Sequence, residues 1–389
     1  MTIADLIAIS IAIIISCSMA VYLGKRWQFW FNFSLTGYYQ IVYWTVVIMI
    51  GVSIVLSRLS ESISTYWLPL ILNTVCAVMI CSVFVTLIFD IGRWISKKRL
   101  KPQLTTKVVY ILGICSLFYY GHEMAMEPSV VNYQVKIDKR TKVNKLRIVQ
   151  LSDIHINDMT SFDRIQHMVD KVNQLDADFI VITGDTLDRR LQPFTEKGFD
   201  KQFQQFKSKY GTYIIFGNHE YLNIKEENNH EQDIINAFKH ANMKVLKDDV
   251  VHLDNVGITF IGRDDFSSSR YDIKRASLPD LMVFSNTNKP IILLDHQPHD
   301  LDEPANLGVD LMISGHTHAG QVFPINLIEK LIYKNNYGIY KNTKQHFTSI
   351  VSSGFGFWGP PIRLMTRSEI VVIDVTFDKK LPELINFSS

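Results

Sequence analysis

The chain has 389 residues, of which 47% are hydrophobic and 20% charged, and its formal net charge is +2. This length is enough for two or three structural units of roughly 150 residues each. Residues 1–129 carry nine Lys or Arg against five Asp or Glu, whereas residues 130–389 carry 31 against 33. Because the second part is nearly neutral and shows no basic patch, we expect no nucleic-acid partner.

Four cysteines are present, and all of them lie in apolar stretches at or before Cys115. A cysteine-based zinc site or a disulfide framework in the second part is therefore excluded.

The first part of the chain contains apolar runs that are typical of membrane-spanning helices. Residues 6–23 are uncharged and long enough to cross a bilayer, and Lys25 and Arg26 follow this run instead of preceding it, which disfavours a cleaved secretory signal. Further spans are predicted at residues 38–57, 67–89 and 108–121. The last is only 14 residues long, so a buried or interfacial helix is its alternative. We therefore expect a bundle of about four transmembrane helices in residues 1–125, integral to the cell membrane.

The distribution of basic residues predicts the orientation of these spans, because cytoplasmic loops retain Lys and Arg. The loop at 90–107 holds six basic residues and the first loop holds two, whereas the middle loop at 58–66 offers only Arg58 against Glu61. Four spans would then place residues 130–389 on the extracytoplasmic side. If residues 108–121 do not cross the membrane, this domain is cytoplasmic instead.

The second part reads as a layered α/β domain over residues 130–389. VVNYQVKID alternates like a strand, and residues 161–176 show helical spacing with Ser161 as a plausible N-cap. Further helices are expected at 199–208 and 230–241, and the apolar strands are KLRIVQLSDIH, DFIVITGD, TYIIFGNHE, ITFIGRDD, IILLDHQP and DLMISGHTH. Strands that alternate with helices indicate an α/β fold. In such folds, ligands bind in the loops beyond the carboxyl ends of the strands.

Five of the predicted strands run directly into clusters of potential metal ligands, which are Asp153 and His155, Asp185, Asn218, His296, and His316 and His318. One His or Asp after a strand is more often a turn former or a hydrogen-bonded residue. That explanation would require all seven candidate ligands to follow strands by accident. Mixed imidazole and carboxylate ligands suit Mn, Fe or Zn better than Ca or Mg. Seven ligands suit two ions that share a carboxylate, and such a pair can clamp a phosphate and generate a hydroxide nucleophile. The sequence thus predicts hydrolysis of a phosphate ester.

The motif series DxH, GDxxDR, GNHE, an isolated His and GHTH resembles the calcineurin-like metallophosphoesterase superfamily over about residues 146–375. The segments GHTHAGQ and SSGFGFWGPPIR resemble the bacterial membrane-anchored branch of that family. The resemblance implies a four-layer calcineurin-like fold, in which helices flank a two-sheet β-sandwich.

The resemblance also implies a role for each matching residue. Asp153, His155 and His318 would hold one divalent ion, and Asn218, His296 and His316 would hold the other. Asp185 would bridge the two ions together with a water or hydroxide. His219 would lie over the substrate and protonate the leaving oxygen, with Asp188 orienting its ring.

Several residues keep two interpretations. Arg189 and Arg363 are candidates for binding the substrate phosphate, because guanidinium binds phosphate in a bidentate manner, but either could instead make a structural salt bridge. His299 lies close to His296 in sequence, and we favour His296 as the ligand because it follows the strand directly. Asp264-Asp265 could form a turn or face the substrate entrance.

The leading hypothesis is a membrane-bound dinuclear-metal phosphoesterase that acts by metal-activated hydroxide attack. The nearby bilayer favours a phosphodiester of an envelope or lipid-linked substrate, and the aromatic stretches 194–206 and 355–358 could contact acyl chains or pack in the core. The alternative is a membrane sensor or scaffold whose metal domain binds a phosphorylated ligand without turnover.

Overall fold

The computed structural model describes residues 3–53, 55–57, 66–97, 99–226 and 231–378. The chain divides into two compact units. One unit holds the residues up to Met124 together with Trp358–Ile362, and the other holds Ala125–Phe357 and the chain from Arg363 onward.

The first unit is built of apolar helices, which are α1 (Ile3–Trp30), α2 (Tyr38–Gly51), α3 (Trp67–Ile95) and α4 (Leu104–Met126). Within the described ranges, α1, α3 and α4 are long and apolar enough to cross a membrane. The predicted 14-residue run at 108–121 proves to be the centre of a 23-residue helix, which spans about 34 Å at 1.5 Å per residue. In contrast, α2 has 14 residues and ends before the predicted limit at residue 57. Residues 58–65 of the predicted middle loop, and Lys98, lie outside the described residues.

A carboxylate near the end of α3 joins this helix to α1. Asp90 forms an ion pair with Arg26. It also accepts hydrogen bonds from Tyr22 Oη at 2.8 Å and from Trp30 Nε1 at 3.1 Å. An ionisable side chain on an apolar helix is costly unless it is paired, so these contacts fix how α1 packs against α3.

The second unit contains two six-stranded sheets. The strands are β1 (Ser129–Ile137), β2 (Lys145–Leu151), β3 (Phe179–Thr183), β4 (Thr212–Ile215), β5 (Met243–Val245), β6 (Asp249–Leu253), β7 (Ile258–Gly262), β8 (Ile291–Leu294), β9 (Leu311–Ser314), β10 (Gly338–Asn342), β11 (Phe347–Val351) and β12 (Glu369–Phe377). The strand orders are β1-β12-β2-β3-β4-β5 and β10-β11-β9-β8-β7-β6. Strands β2 to β5 are mutually parallel, and so are β11, β9, β8 and β7.

The two sheets pack face to face over a shared apolar core. Ile148 and Phe179 on the first sheet meet Phe260 and Ile292 on the second, and the rings of Phe179 and Phe260 lie 5.0 Å apart between centroids. The predicted two-sheet α/β sandwich is confirmed.

Helices connect the strands of this unit. They are α5 (Phe162–Asn173), α6 (Gln192–Glu196), α7 (Phe199–Phe203), α8 (Asn218–Glu226), α9 (Glu231–His240), α10 (Leu278–Met282), α11 (Asp302–Leu307) and α12 (Ile325–Ile332), with 3₁₀ turns at Phe266–Tyr271 and His318–Gly320. Ser161 caps α5 as predicted, since its side chain accepts a hydrogen bond from Arg164 N. The predicted helix at 199–208 is shorter, because α7 ends at Phe203.

The aromatic residues at 194–206 pack mainly inside the domain. Phe194, Phe199 and Phe203 are buried beneath the first sheet, and Phe355 is buried with them. Of the two interpretations of these stretches, core packing therefore applies to these four rings.

Candidate active site

The side chains predicted to bind metal lie where the carboxyl ends of strands from both sheets converge. β2, β3 and β4 of one sheet lead into Asp153, Asp185 and Asn218, and β8 and β9 of the other lead into His296 and His316. Three groups of these side chains could each hold a metal ion, because the ligand atoms within a group lie within 4.8 Å of one another. The groups are Asp153, His155 and His318; His155, Asp185 and His219; and Asp185, His296 and His316.

The first group is buried and compact. The Nε2 atoms of His155 and His318 lie 3.0 Å apart, and His318 Nε2 lies 3.5 Å from Asp153 Oδ1. Burial, followed by the nearby charge of His155, holds the pKa of His318 well below its usual range. A neutral imidazole is the form that ligates a cation.

The group on the other side is organised around His296. His296 Nε2 lies 3.2 Å from Asp185 Oδ2, while Nδ1 lies 2.7 Å from the carbonyl oxygen of Thr183. A proton on Nδ1 that bonds this carbonyl leaves the Nε2 lone pair directed at the site, which is the usual support for a metal-ligating histidine. Burial also lowers the pKa of His316, the third member, to about 3.

Asn218 lies between Gly217 and His219, which both contact Asp185. Its Oδ1 is buried and has no hydrogen-bond partner among the residues that the structure describes. A buried amide oxygen without a partner is costly, and a cation would satisfy it. The mixed nitrogen and oxygen donors, together with this oxygen, therefore fit divalent ions of the Mn, Fe or Zn type.

Asp185 stands between the two groups. Its Oδ2 is 3.2 Å from His296 Nε2 and 3.9 Å from His155 Nε2. Burial pushes the pKa of Asp185 upward, but the imidazoles of His296, His219 and His155 outweigh it and hold this pKa well below its usual range. The carboxylate is accordingly ionised, with one oxygen facing both groups.

The backbone of the site adopts an unusual conformation. Five ligand candidates have left-handed φ angles: Asp153 at 52°, His155 at 53°, Asp185 at 52°, His316 at 74° and His318 at 50°. Such angles are uncommon for residues other than glycine, and they cluster where surrounding structure imposes them at functional sites.

Glu220 organises the loops beneath the ligands, a role that the sequence did not reveal. One carboxylate oxygen accepts the backbone N–H groups of Asp185 and Gly217 at 3.0 and 2.7 Å. The other accepts those of Thr186 and Leu187 at 2.8 and 3.0 Å. Burial and the nearby Asp185 raise the pKa of Glu220 to about 7. In the sequence, the signal for this role was the position of Glu220 at the end of the GNHE motif.

Gly217 allows β4 to approach Asp185 closely. A Cβ atom at residue 217 would lie 2.2 Å from Asp185 Oδ1 and 2.6 Å from the backbone nitrogen of Asp185. No real Cβ contact is this short, so a larger residue must displace the carboxylate.

We therefore expect Gly217→Ala to lower metal affinity about tenfold or more, since supporting contacts typically contribute that much. Titration of the purified protein with Mn²⁺ or Zn²⁺ measures this. Gly92→Ala is the control, because its added Cβ would meet only Leu100 Cδ2, at 3.7 Å. An unchanged metal affinity in Gly217→Ala would show that metal binding does not need the close approach of residue 217 to Asp185.

His219 and Asp188 form a pair next to the ligand groups. His219 Nδ1 lies 3.0 Å from Asp188 Oδ1 and 2.7 Å from the Asp188 carbonyl oxygen. The ring of His219 meets that of His155 edge-on, with 4.6 Å between centroids. With Nδ1 directed at Asp188, Nε2 is the nitrogen on the opposite side of the His219 ring.

The two arginines predicted to bind phosphate occupy different environments. Arg189 is half-buried. Arg363 is fully buried, and its NH2 group donates to the carbonyl oxygens of Ser353 at 2.6 Å and Gly356 at 2.7 Å. The same loop donates from Gly356 N to the Asp153 carbonyl oxygen at 2.7 Å. Arg363 thus supports the loop behind Asp153, and its structural interpretation is favoured over phosphate binding.

The residues of the remaining alternatives also have partners in the structure. His299 bonds Gln297 Oε1 at 3.0 Å and packs against Phe266 with tilted rings, outside the three ligand groups. Asp265 caps the 3₁₀ turn by accepting a hydrogen bond from Ser267 N at 2.7 Å. Asp264 pairs with Lys247 and Tyr221, and burial raises its pKa to about 6. The acidic pair therefore belongs to a turn.

Comparison with known proteins identifies the family of this chain. The family described as calcineurin-like phosphoesterase matches residues 146–320. An uncharacterized metallophosphoesterase of Helicobacter pylori is 33% identical over 71% of this chain and 71% of its own length. Another, from Campylobacter jejuni, is 32% identical over 82% of this chain and 84% of its own. A Danio rerio protein named transmembrane protein with metallophosphoesterase domain is 29% identical over 79% of this chain and 74% of its own. The chain therefore belongs to the calcineurin-like metallophosphoesterases, which are metal-dependent phosphoester hydrolases.

Proposed function

We propose that this protein is a membrane-bound phosphoesterase whose site holds two divalent ions. The observation that carries the proposal is the position of Asp185, whose Oδ2 faces ligand groups on both sides. Asp153, His155 and His318 would hold one ion, and Asn218, His296 and His316 the other, with Asp185 shared. When bound, such ions supply Lewis acidity toward the phosphoryl oxygens and lower the pKa of water.

The protein's own contribution to the reaction is the placement of these donors and of a proton. Asp185 brings negative charge to a buried site, while His316 and His318 remain neutral. His219 is oriented by Asp188 through Nδ1, so a proton on Nε2 can be delivered to the leaving oxygen of the ester. A carboxylate partner raises the basicity of an imidazole and stabilises its charged form.

We expect His219→Gln to lower the rate of hydrolysis by about 10²–10⁴-fold, the usual contribution of a general acid, while metal content stays at the wild-type level. The loss should shrink for p-nitrophenyl esters, whose leaving oxygen needs little protonation, relative to phenyl esters. Metal analysis of the same samples distinguishes a general acid from a metal ligand. Loss of one ion together with activity would show that His219 is instead a metal ligand, as its proximity to His155 and Asp185 also permits.

A phosphodiester on a lipid or another envelope molecule is the substrate class that we propose. The support is the tether: three apolar helices of membrane-spanning length precede the domain. The test is hydrolysis by the full-length protein, loaded with Mn²⁺ or Zn²⁺, of bis-p-nitrophenyl phosphate, p-nitrophenyl phosphate and envelope lipids. Preference for the monoester would contradict the diester proposal, and hydrolysis of water-soluble diesters alone, without gain from vesicles, would contradict the lipid link.

We further propose that the catalytic domain lies on the extracytoplasmic side. The segment between α3 and α4 carries Lys97, Lys98, Arg99 and Lys101, which favours a cytoplasmic position. The 23 residues of α4 are enough to cross to the other side.

Protease added to intact spheroplasts should therefore cleave the domain. Once the four native cysteines, which all precede residue 116, are replaced by serine, a cysteine introduced in place of exposed Asn288 should likewise react with a membrane-impermeant maleimide. Reaction only after the cells are permeabilised would place the domain in the cytoplasm.

A further inference from the structure

Helix α12 is amphipathic in the reverse of the usual sense. Its aliphatic side chains point outward and are exposed: Ile325, Leu327, Ile328, Leu331 and Ile332. Leu331 is 88% exposed and Ile332 is 60% exposed. None of the eight residues is classed as buried against any described part of the chain. A surface helix of a soluble protein normally turns such side chains inward.

The polar side chains of α12 point the other way. Asn326 and Glu329 are the less exposed positions of the helix, spaced three residues apart. Asn326 Oδ1 and Glu329 Oε2 are buried without a hydrogen-bond partner in the described part of the chain. Burial of polar atoms beneath an aliphatic outer face is unfavourable in water. The arrangement suits a helix whose outer face lies in an apolar medium.

This outer face adjoins the candidate active site. The helix follows the 3₁₀ turn that begins at His318, and Tyr333 comes directly after its last residue. The ring of Tyr333 lies 6.1 Å from that of His316 and 5.1 Å from that of His299, between centroids. Phe266, exposed on the surface, packs on His299 at 4.7 Å. Aromatic rings therefore lead from α12 to a ligand candidate.

We propose that α12 inserts into the interfacial layer of the bilayer and that the phosphoester reaches the metal site from the lipid phase. The bilayer is the occupant, because apolar helices of membrane-spanning length already tether this domain to it. Exposed aliphatic residues with a basic residue on the same helix, Lys330, are typical of interfacial helices that meet anionic headgroups. The access route rests on the proposed phosphoesterase function, whereas insertion of α12 does not.

Insertion is tested on the full-length protein in nanodiscs of phosphatidylethanolamine and phosphatidylglycerol. The four native cysteines are replaced by serine, and Leu331→Cys carries an environment-sensitive NBD fluorophore. We expect blue-shifted emission that is quenched by doxyl-labelled lipid, whereas the same label at Asn288, exposed on the same domain, should emit as in water. Water-like emission at 331 overturns the proposal. So does a blue shift without lipid quenching, which would indicate that a second protein copy covers the helix.

The access route is tested with two diesters of the same leaving group. One is a diacylglycerol p-nitrophenyl phosphate in the nanodisc, and the other is soluble bis-p-nitrophenyl phosphate. Leu331→Glu should lower kcat/KM for the lipid ester about tenfold or more, as expected when an aliphatic group inserted in the bilayer becomes charged. It should leave kcat/KM for the soluble ester unchanged. Leu331→Met should change neither. Equal losses for both esters overturn the access route, and hydrolysis of neither ester by the unsubstituted protein defeats the phosphoesterase proposal while the fluorescence result still stands.

Discussion

Asp185→Asn should abolish most phosphoester hydrolysis, with a loss of about 10³-fold or more, while the protein remains folded. Asp185 supplies the charged oxygen that faces both ligand groups, and its neutralisation removes several kcal/mol of stabilisation from the transition state. Asparagine preserves the shape of the side chain and tolerates the left-handed backbone at this position. Its Oδ1 can still accept the hydrogen bond from His219 N.

The loss is measured as kcat/KM for bis-p-nitrophenyl phosphate, with thermal unfolding as the check on folding. Asp272→Asn is a matched control, because Asp272 also has a left-handed φ, of 61°, but is exposed at the end of a 3₁₀ turn. Near-normal cellular function of Asp185→Asn would favour the sensor or scaffold alternative, in which the metal domain only binds a phosphorylated ligand.

Glu220→Gln should lower the stability of the catalytic domain by about 3 kcal/mol and weaken metal binding with it. The carboxylate accepts four backbone N–H groups, and an amide NH₂ would oppose two of these donors. Each buried donor left without an acceptor costs about 1–3 kcal/mol. Because the loop that Glu220 holds contains Asp185, the ligand should lose its fixed position as well.

Thermal unfolding with and without Mn²⁺ measures both effects, and a decrease of about 6–12 °C in Tm is expected for a domain of this size. Glu196→Gln, at an exposed position, is the matched control and should leave Tm unchanged. A wild-type Tm for Glu220→Gln would show that the loop keeps its shape without the carboxylate.

The sequence identified much of this architecture because each relevant signal was local. A buried strand followed at once by polar residues can be recognised without the fold, and this holds for Asp153, Asp185 and His316. Parallel strands then bring Asp153 and Asp185 to one edge of the first sheet, and His316 follows a strand of the second sheet. The layered α/β class followed from the alternation of strands and helices, whereas the two-sheet sandwich was implied by the family resemblance.

Other features depend on contacts between distant segments, which a pattern does not reveal. Glu220 resembles any helix-initiating acid until four loop amides are seen to converge on it. Arg363 resembles a phosphate ligand until its carbonyl partners are known. The reversed polarity of α12 was hidden because helical spacing shows which residues share a face but not which face meets the protein.

The length of α4 shows a further limit. Its apolar centre was recognised at residues 108–121, but its ends carry residues such as Lys107 and His122 that a hydropathy pattern does not assign to a span. The helix continues through them because backbone hydrogen bonds persist where the side chains become polar. The predicted span was therefore too short by several residues at each end.

The central claim, a phosphoesterase with two metal ions, is tested most directly by metal content and turnover in one preparation. The full-length protein is loaded with Mn²⁺ or Zn²⁺, freed of excess metal and analysed for bound ions, and its hydrolysis of bis-p-nitrophenyl phosphate is then measured. We predict close to two ions per chain and a rate that falls as the ions are removed by chelation and returns when they are restored. Two bound ions without turnover of this diester, of p-nitrophenyl phosphate or of envelope lipids would contradict the claim.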